Sequence, residues 1–215
     1  MPGGRGAPGR ACAKIWIRTR HGIVLLNRRA DALETDGSLE EILARAAGGD
    51  RAAFALIVRE YQSMVFSIGL NYLRNAALAE EVAQDVFLEL YRNLGSVESA
   101  SHLVWWLRRV AVNRCIDRGR RRAWRTEVAL ENVAEPSAAR EERDVMAAEA
   151  LRRLVAALPD WQRAIVILRF QEDLDPTEIA KVLELPVNTV KSRLHRALGV
   201  LRDKLERKQK LEARA

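Results

Sequence analysis

The stretch from residue 175 to residue 198, DPTEIAKVLELPVNTVKSRLHRAL, constrains the fold of this chain more than any other. It reads as two short helices joined by a tight turn, the second of them basic. Asp175 is placed to cap the first helix, Pro176 sits where its missing N–H costs nothing, and Glu178 follows at capping-box spacing. Pro186 marks the turn, and the second helix separates into two faces at helical spacing. Val190, Leu194, Ala197, Leu198 and Leu201 form the expected buried stripe. Asn188, Lys191, Ser192, His195 and Arg196 form the opposite arc, with Thr189 and Arg193 at its edge. An ordinary amphipathic helix would turn such an arc to water. A capped helix, a Pro-marked turn and a donor-rich helix in one run match instead the way a chain addresses the major groove of DNA. Glu184 stands near the turn where many such motifs use glycine, and a positive φ there costs a residue with a Cβ about 1 kcal/mol.

Charge supports a polyanionic partner through its distribution more than its sum. The 215 residues carry 36 Lys and Arg against 29 Asp and Glu, a net charge of +7. Between Trp105 and Arg125 lie Arg108, Arg109, Arg114, Arg118, Arg120, Arg121, Arg122 and Arg125, opposed only by Asp117. Residues 186–210 form a second basic patch, so two contacts are expected. Cys12 and Cys115 are too few for a disulfide framework, and His21, His102 and His195 have no metal-ligand spacing, so neither metal nor cofactor is expected. No apolar run approaches the roughly 20 residues that cross a bilayer, which predicts a cytoplasmic protein without membrane insertion. The chain shows no phosphate-binding glycine loop, GxSxG elbow or HExxH, and no catalytic residue or small-molecule substrate is expected.

The pattern along the chain is all-α, with two small helical domains joined by a flexible linker and the helix-turn-helix in the second. Residues 1–37 begin rich in Gly, Pro and Arg and are expected to be disordered, or to follow from a mis-assigned start codon. A first domain spans 38–123. It holds a short helix from Leu39 to Ala47, ended by Gly48-Gly49-Asp50, and a helix from Arg51 to Leu73. A helix from Leu78 to Leu94 follows, and then one from Leu103 to Arg122 that starts apolar and aromatic and ends heavily basic. The third of these has its apolar stripe at Leu78, Val82, Val86, Leu90 and Leu94, while Glu81, Gln84, Asp85 and Leu88 face elsewhere. A linker is expected over 124–144, a second domain over 145–208 with Leu151, Leu154, Val155 and Leu158 as its first buried face, and a tail over 209–215. No strand signal rises above noise. Trp105 and Trp106 are consecutive, about 100 degrees apart on a helix, so one is expected to pack and one to be exposed; Trp106 is the candidate for packing. Cys115 and Ile116 read as core.

Three of these stretches together resemble one family, the bacterial RNA polymerase sigma factors, and in size and layout the compact extracytoplasmic-function group. The resemblance covers residues 38–205. AEEVAQDVFLELY (79–91) looks like the helix that grips the polymerase clamp, LVWWLRRVAVNRCIDRGRR (103–121) like the helix that opens the minus-ten element, and LPDWQRAIVILRF through the helix-turn-helix like the minus-thirty-five module.

The resemblance implies core polymerase and promoter DNA, duplex and unpaired, as partners, and an anti-sigma protein that masks the two modules. It implies polymerase contact through Gln84 and Asp85, and Leu88, off the apolar stripe among carboxylates such as Glu81, marks the same face as a partner surface. Trp105 and Trp106 would lie at the upstream edge of the melted segment, Asn113 and loop residues 99–102 would line a pocket for an unstacked base, and Arg108, Arg109, Arg114, Arg118 and Arg121 would hold phosphates. In the second module Ser192, His195 and Arg196 correspond to base-reading positions, and Thr189, Lys191 and Arg193 are better placed for phosphates. These roles suit the chemistry, because bases leave the stack at a cost that aromatic platforms and a basic channel offset. A stand-alone helix-turn-helix regulator would need no Trp- and Arg-rich melting helix. An RNA-binding protein should show an aromatic-bearing sheet or another RNA module.

Overall fold

The computed structural model describes the backbone of residues 15–19, 22–26, 38–128 and 150–212, and the side chains of residues 38–121 and 150–207. Eight helices carry the fold among the described residues. They are α1 (Leu39–Ala47), α2 (Arg51–Leu73), α3 (Ala76–Asn93), α4 (Ala100–Val128), α5, described over 150–156, α6 (Asp160–Phe170), α7 (Pro176–Leu183) and α8 (Val187–Glu212), with a 3-10 turn at Leu94–Ser96. The expectation of no strand needs correction. Strands β1 (Ile15–Thr19) and β2 (Gly22–Leu26) pair antiparallel, with Ile15 opposite Leu26 and Thr19 opposite Gly22. IWIRT and GIVLL are rich in β-branched residues and sit either side of a two-residue connection, a hairpin signal submerged in the composition of the surrounding stretch. The remainder of the expected N-terminal disorder, the linker from 129 onward, the start of the second domain at 145–149 and the last residues of the tail lie outside the described residues.

Helix ends follow local capping chemistry. Ser38 and Glu41 form a capping box on α1. Asp50 starts α2 by accepting from the N–H groups of Ala52 and Ala53 at 2.8 and 3.1 Å, and its other oxygen takes Arg45 at 2.8 Å. The Ala53 N–H, then the Arg45 guanidinium, hold its carboxyl below the ordinary aspartate range. Helix α3 begins at Ala76, earlier than expected, because Asn75 accepts from the Leu78 N–H at 2.9 Å. Helix α4 likewise starts early, with Ser99 accepting from the His102 N–H at 3.1 Å, and runs to Val128 into the expected linker. Nothing between 122 and 128 breaks a helix, and Pro136 is the first strong stop. Helix α8 runs past residue 208 into the expected tail for the same reason.

The apolar stripes converge on one core. It runs from Ile42 and Ile57 through Leu103 and Leu107 of α4 to Ile165, Leu168, Ile179 and Val190, with Cys115 and Ile116 inside it. A smaller cluster gathers Leu158, Val166, Ala197 and Leu201. Gly69 permits the close crossing of α2 and α3, since a Cβ there would meet the Cα and Cβ of Ala79 at 3.2 Å. Two expected core residues are instead at the surface: Leu151 is 44% exposed and Leu198 38%. Both stand at the margin of their stripes.

The two helical groups touch directly. Helix α4 packs against α7, and α2 against α6, so the first four helices share the main core with α6, α7 and the start of α8. The two helical groups are distinct along the sequence, and hydrophobic burial joins them in space.

Candidate nucleic-acid interface

The helix-turn-helix is built as its sequence prescribes. Asp175 accepts from the N–H groups of Thr177 and Glu178 at 2.6 and 2.9 Å, and Glu178 returns the bond from the Asp175 N–H at 2.8 Å. The Glu178 N–H, first among several donors, holds the Asp175 carboxyl below its ordinary range. Glu184 ends α7 in the left-handed region, φ 51° and ψ 44°, the conformation for which glycine is the usual choice. Helix α8 then buries Val190, Ala197 and Leu201 and half-buries Leu194.

The opposite face of α8 is open. Asn188, Lys191, Ser192, His195 and Arg196 are all exposed, and none of the three cationic or titratable side chains among them pairs with a carboxylate of another described residue. Thr189 is half-buried and its carbonyl accepts from the Ser192 hydroxyl at 3.0 Å. Arg193 departs from the expected phosphate edge. Its guanidinium lies 5.8 Å from the Trp161 ring centre, with one terminal nitrogen buried and lacking an acceptor.

Helix α4 presents a different picture. Asn113 and Arg121 are exposed. Arg108, expected on the DNA-facing side, is buried: its Nε and a terminal nitrogen both donate to Glu172 Oε2 at 3.1 Å, with side-chain exposures of 9% and 4% for the pair. Arg109 pairs with Glu184. Arg114 donates through Nε to Glu89 at 3.1 Å, and Arg118 pairs with Glu81 and, at 3.1 Å, with Asp85. These bonds raise both guanidinium pKa values, from Glu89 for Arg114 and from Asp85 ahead of Glu81 for Arg118. Burial of Arg108 follows from the docking of α6 and α7 on α4, which chain patterning does not encode.

Both tryptophans are half-buried and pack against the main core, so the expected division into one packed and one exposed ring does not hold. The docking again explains it, because the Lys181 ammonium of α7 lies 5.1 Å from the Trp105 ring centre. In the loop before α4, Ser99 caps the helix and His102 Nδ1 accepts from the Glu98 N–H at 3.3 Å. Burial pushes the Cys115 thiol up to about 12, which keeps it protonated.

On α3, Gln84 and Leu88 are exposed, Leu88 at 49%, and Tyr91 beside them is 45% exposed with its ring edge-on to Phe54. Glu81 and Asp85 share this face but are committed to Arg118. Sequence reasoning missed these pairings and the group around Tyr72. Its hydroxyl donates to Asp160 at 3.0 Å, Arg120 donates to the same carboxylate at 3.0 Å, and the Arg163 guanidinium lies 4.7 Å from its ring centre. Burial, and then Asp160, raise the phenol pKa. These partners are far apart in the chain and leave no local signal.

Two family models match the chain in the order of its helical groups: "Sigma-70 region 2" over residues 57–125 and "Sigma-70, region 4" over residues 148–201. Among similar proteins, the RNA polymerase sigma-H factor of Pseudomonas aeruginosa is 30% identical over 74% of this chain and 89% of its own length. The ECF RNA polymerase sigma factor SigW of Bacillus subtilis is 30% identical over 73% and 91%, respectively. Sigma factor RpoE of Bartonella quintana, solved with the anti-sigma factor NepR, shares the fold with a TM-score of 0.57 at 21% identity, covering 71% of this chain and 96% of that one. A capped helix-turn-helix, an arginine-rich tryptophan helix and relatives matched along nearly their whole lengths lead to one assignment: the chain belongs to the sigma-70 family of RNA polymerase factors, within the extracytoplasmic-function group.

Proposed function

We propose that α8 reads the minus-thirty-five duplex, that α4 engages the minus-ten element and its unpaired strand, and that the exposed face of α3 holds core polymerase. As a promoter-specific initiation factor the chain lends polymerase its sequence preference and catalyses no step itself. The observation that carries this reading is the solvent-facing arc of Asn188, Lys191, Ser192, His195 and Arg196 on a capped helix-turn-helix. Hydroxyl, imidazole and guanidinium groups spaced along one helix face offer donors to base edges, and the flanking cations offer charge to phosphates. Melting needs a second element. Trp105 and Trp106 offer stacking surface, Asn113 a hydrogen-bonding side chain, and the arginines of α4 a track for the backbone.

Gln84 and Leu88 supply a polar and an apolar contact on a face that its own helix does not bury. Glu81 and Asp85 extend that face with negative charge. A cytoplasmic location fits work on polymerase, and no described helix is long and apolar enough to cross a membrane. An anti-sigma partner is supported by the RpoE relative, which was solved with one. The test begins by selecting promoter fragments from genomic DNA with reconstituted holoenzyme. Electrophoretic shifts of those fragments, as duplex and as pre-opened bubble, are then compared with and without core polymerase. Selective shifts that require core support the reading. A strong shift of duplex alone without core would make the chain a stand-alone regulator.

A further inference from the structure

We propose that His102 selects a base on its own account: the loop before α4 holds its imidazole in the tautomer that offers one N–H donor to the unpaired strand, favouring a keto base, thymine or guanine. This rests on the reading that α4 engages the unpaired strand. Two bonds close the loop on itself. The Ser99 hydroxyl accepts from the His102 N–H at 3.1 Å, and His102 Nδ1 accepts from the Glu98 N–H at 3.3 Å. The pair resembles a capping box shifted by one residue, with an imidazole in place of the usual Glu or Gln side chain. Val97 and Leu103, 8% and 0% exposed, anchor the loop on both sides, and the Ser99 and Ser101 hydroxyls bond to each other at 3.1 Å.

A ring nitrogen that accepts from a backbone N–H carries no proton of its own, so the neutral imidazole holds its proton on Nε2. No described residue accepts from Nε2, and the atom is not buried, so it meets solvent. The result is one oriented donor on a half-buried side chain. Thymine O4 and guanine O6 accept such a bond, whereas the amino groups of cytosine and adenine set donor against donor. This contact is separate from that of Asn113. The two residues lie three turns and about 20 degrees apart on the unbroken α4, so they share a face at a spacing of about 16 Å along the axis. One base cannot touch both, and the strand meets two contacts in place of one pocket.

The test uses full-length protein assembled with core polymerase and a pre-opened promoter bubble whose unpaired positions carry A, C, G or T in turn. At one position wild type should bind keto bases about three- to tenfold more tightly than amino bases, the worth of one neutral hydrogen bond. Two substitutions separate the ring nitrogens. His102→Gln sets an amide N–H near the place of Nε2 and should keep the preference at lower overall affinity, having lost the Glu98 bond. His102→Asn keeps an acceptor near the place of Nδ1 and should abolish the preference, as should His102→Ala. Asn113→Ala should alter the preference at another unpaired position. In free chain labelled with ¹⁵N-histidine, at about pH 8, the His102 ring should show the Nε2–H tautomer.

If His102→Ala folds poorly by circular dichroism, the Gln and Asn variants decide. A keto preference that survives in His102→Asn, an Nδ1–H tautomer, or one position answering to both His102 and Asn113 would overturn the proposal. Wild-type holoenzyme separates this from the functional reading: binding of the bubble with no keto preference at any position removes only the role of His102, whereas no binding of the bubble defeats the reading beneath it as well.

Discussion

Helices α4 and α8 are both long, basic and rooted in an apolar core, yet the fold treats their cations in opposite ways. On α8, Lys191, His195 and Arg196 point into solvent. On α4, Arg108, Arg109, Arg114 and Arg118 each meet a carboxylate of the chain itself. The difference lies in what is docked alongside. Helix α8 buries one stripe against α6 and α7 and leaves Asn188, Lys191, Ser192, His195 and Arg196 exposed. Helix α4 is flanked by the acidic face of α3 and by α6 and α7. A basic run in a sequence therefore states a capacity to bind anions, and neighbouring helices decide whether that capacity is already filled.

The largest effect should come from the buried pair. Glu172→Ala leaves Arg108 with an uncompensated charge in the core and should lower stability by about 3 to 5 kcal/mol in urea unfolding. Glu184→Ala removes the partner of a mostly exposed arginine and should change it by about 0 to 1 kcal/mol. Equal losses would erase the distinction between the buried and exposed ends of the contact.

A smaller effect is expected on the open helix. Arg196→Ala should cost about 1 to 3 kcal/mol of discrimination among minus-thirty-five variants, because a guanidinium can donate two hydrogen bonds to one guanine. Lys191→Ala should weaken all variants evenly. Reordering of variants by Lys191→Ala, with none by Arg196→Ala, would exchange the two roles. The measurement is competition binding of holoenzyme at fixed salt, since phosphate contacts are salt-dependent.

The face of α3 sharpens the comparison further. Asp85 cannot be replaced innocently, as it holds Arg118 of α4. Gln84→Ala with Leu88→Asp avoids that bond, and exposed changes of this kind alter stability by less than about 0.5 kcal/mol. Holoenzyme formation, read by anisotropy against core polymerase, should weaken about tenfold, which is about 1.4 kcal/mol. Wild-type affinity in a folded variant would remove this face from the interface.

The smallest effect concerns the cap of the helix-turn-helix. The folded-state pKa of Asp175 is depressed, so its contribution is present above the unfolded value and lost as pH falls through the folded one. Asp175→Asn keeps a capping oxygen without the charge. Its deficit in melting temperature relative to wild type should shrink between about pH 5 and about pH 2. A deficit that grows on acidification would reverse the assignment.

What the sequence alone determined is local. The bounds of α1 and α2, the capping box of α7, the Pro-marked turn and the two faces of α8 follow from interactions spanning a few residues, which periodicity and capping chemistry reveal. So do the exposed Gln84 and Leu88, since the stripe of their own helix excludes them. The early starts of α3 and α4 were equally local, and Asn75 and Ser99 signal them as caps. What only the tertiary structure decided is who answers each charge. Arg108 meets Glu172 across 64 positions and Arg109 meets Glu184 across 75. No pattern within a helix encodes such pairings, because they arise when burial of Leu103, Leu107, Ile165 and Ile179 in one core brings distant helices together. Arg108 then pairs with Glu172 because a charge taken out of water is costly without a partner.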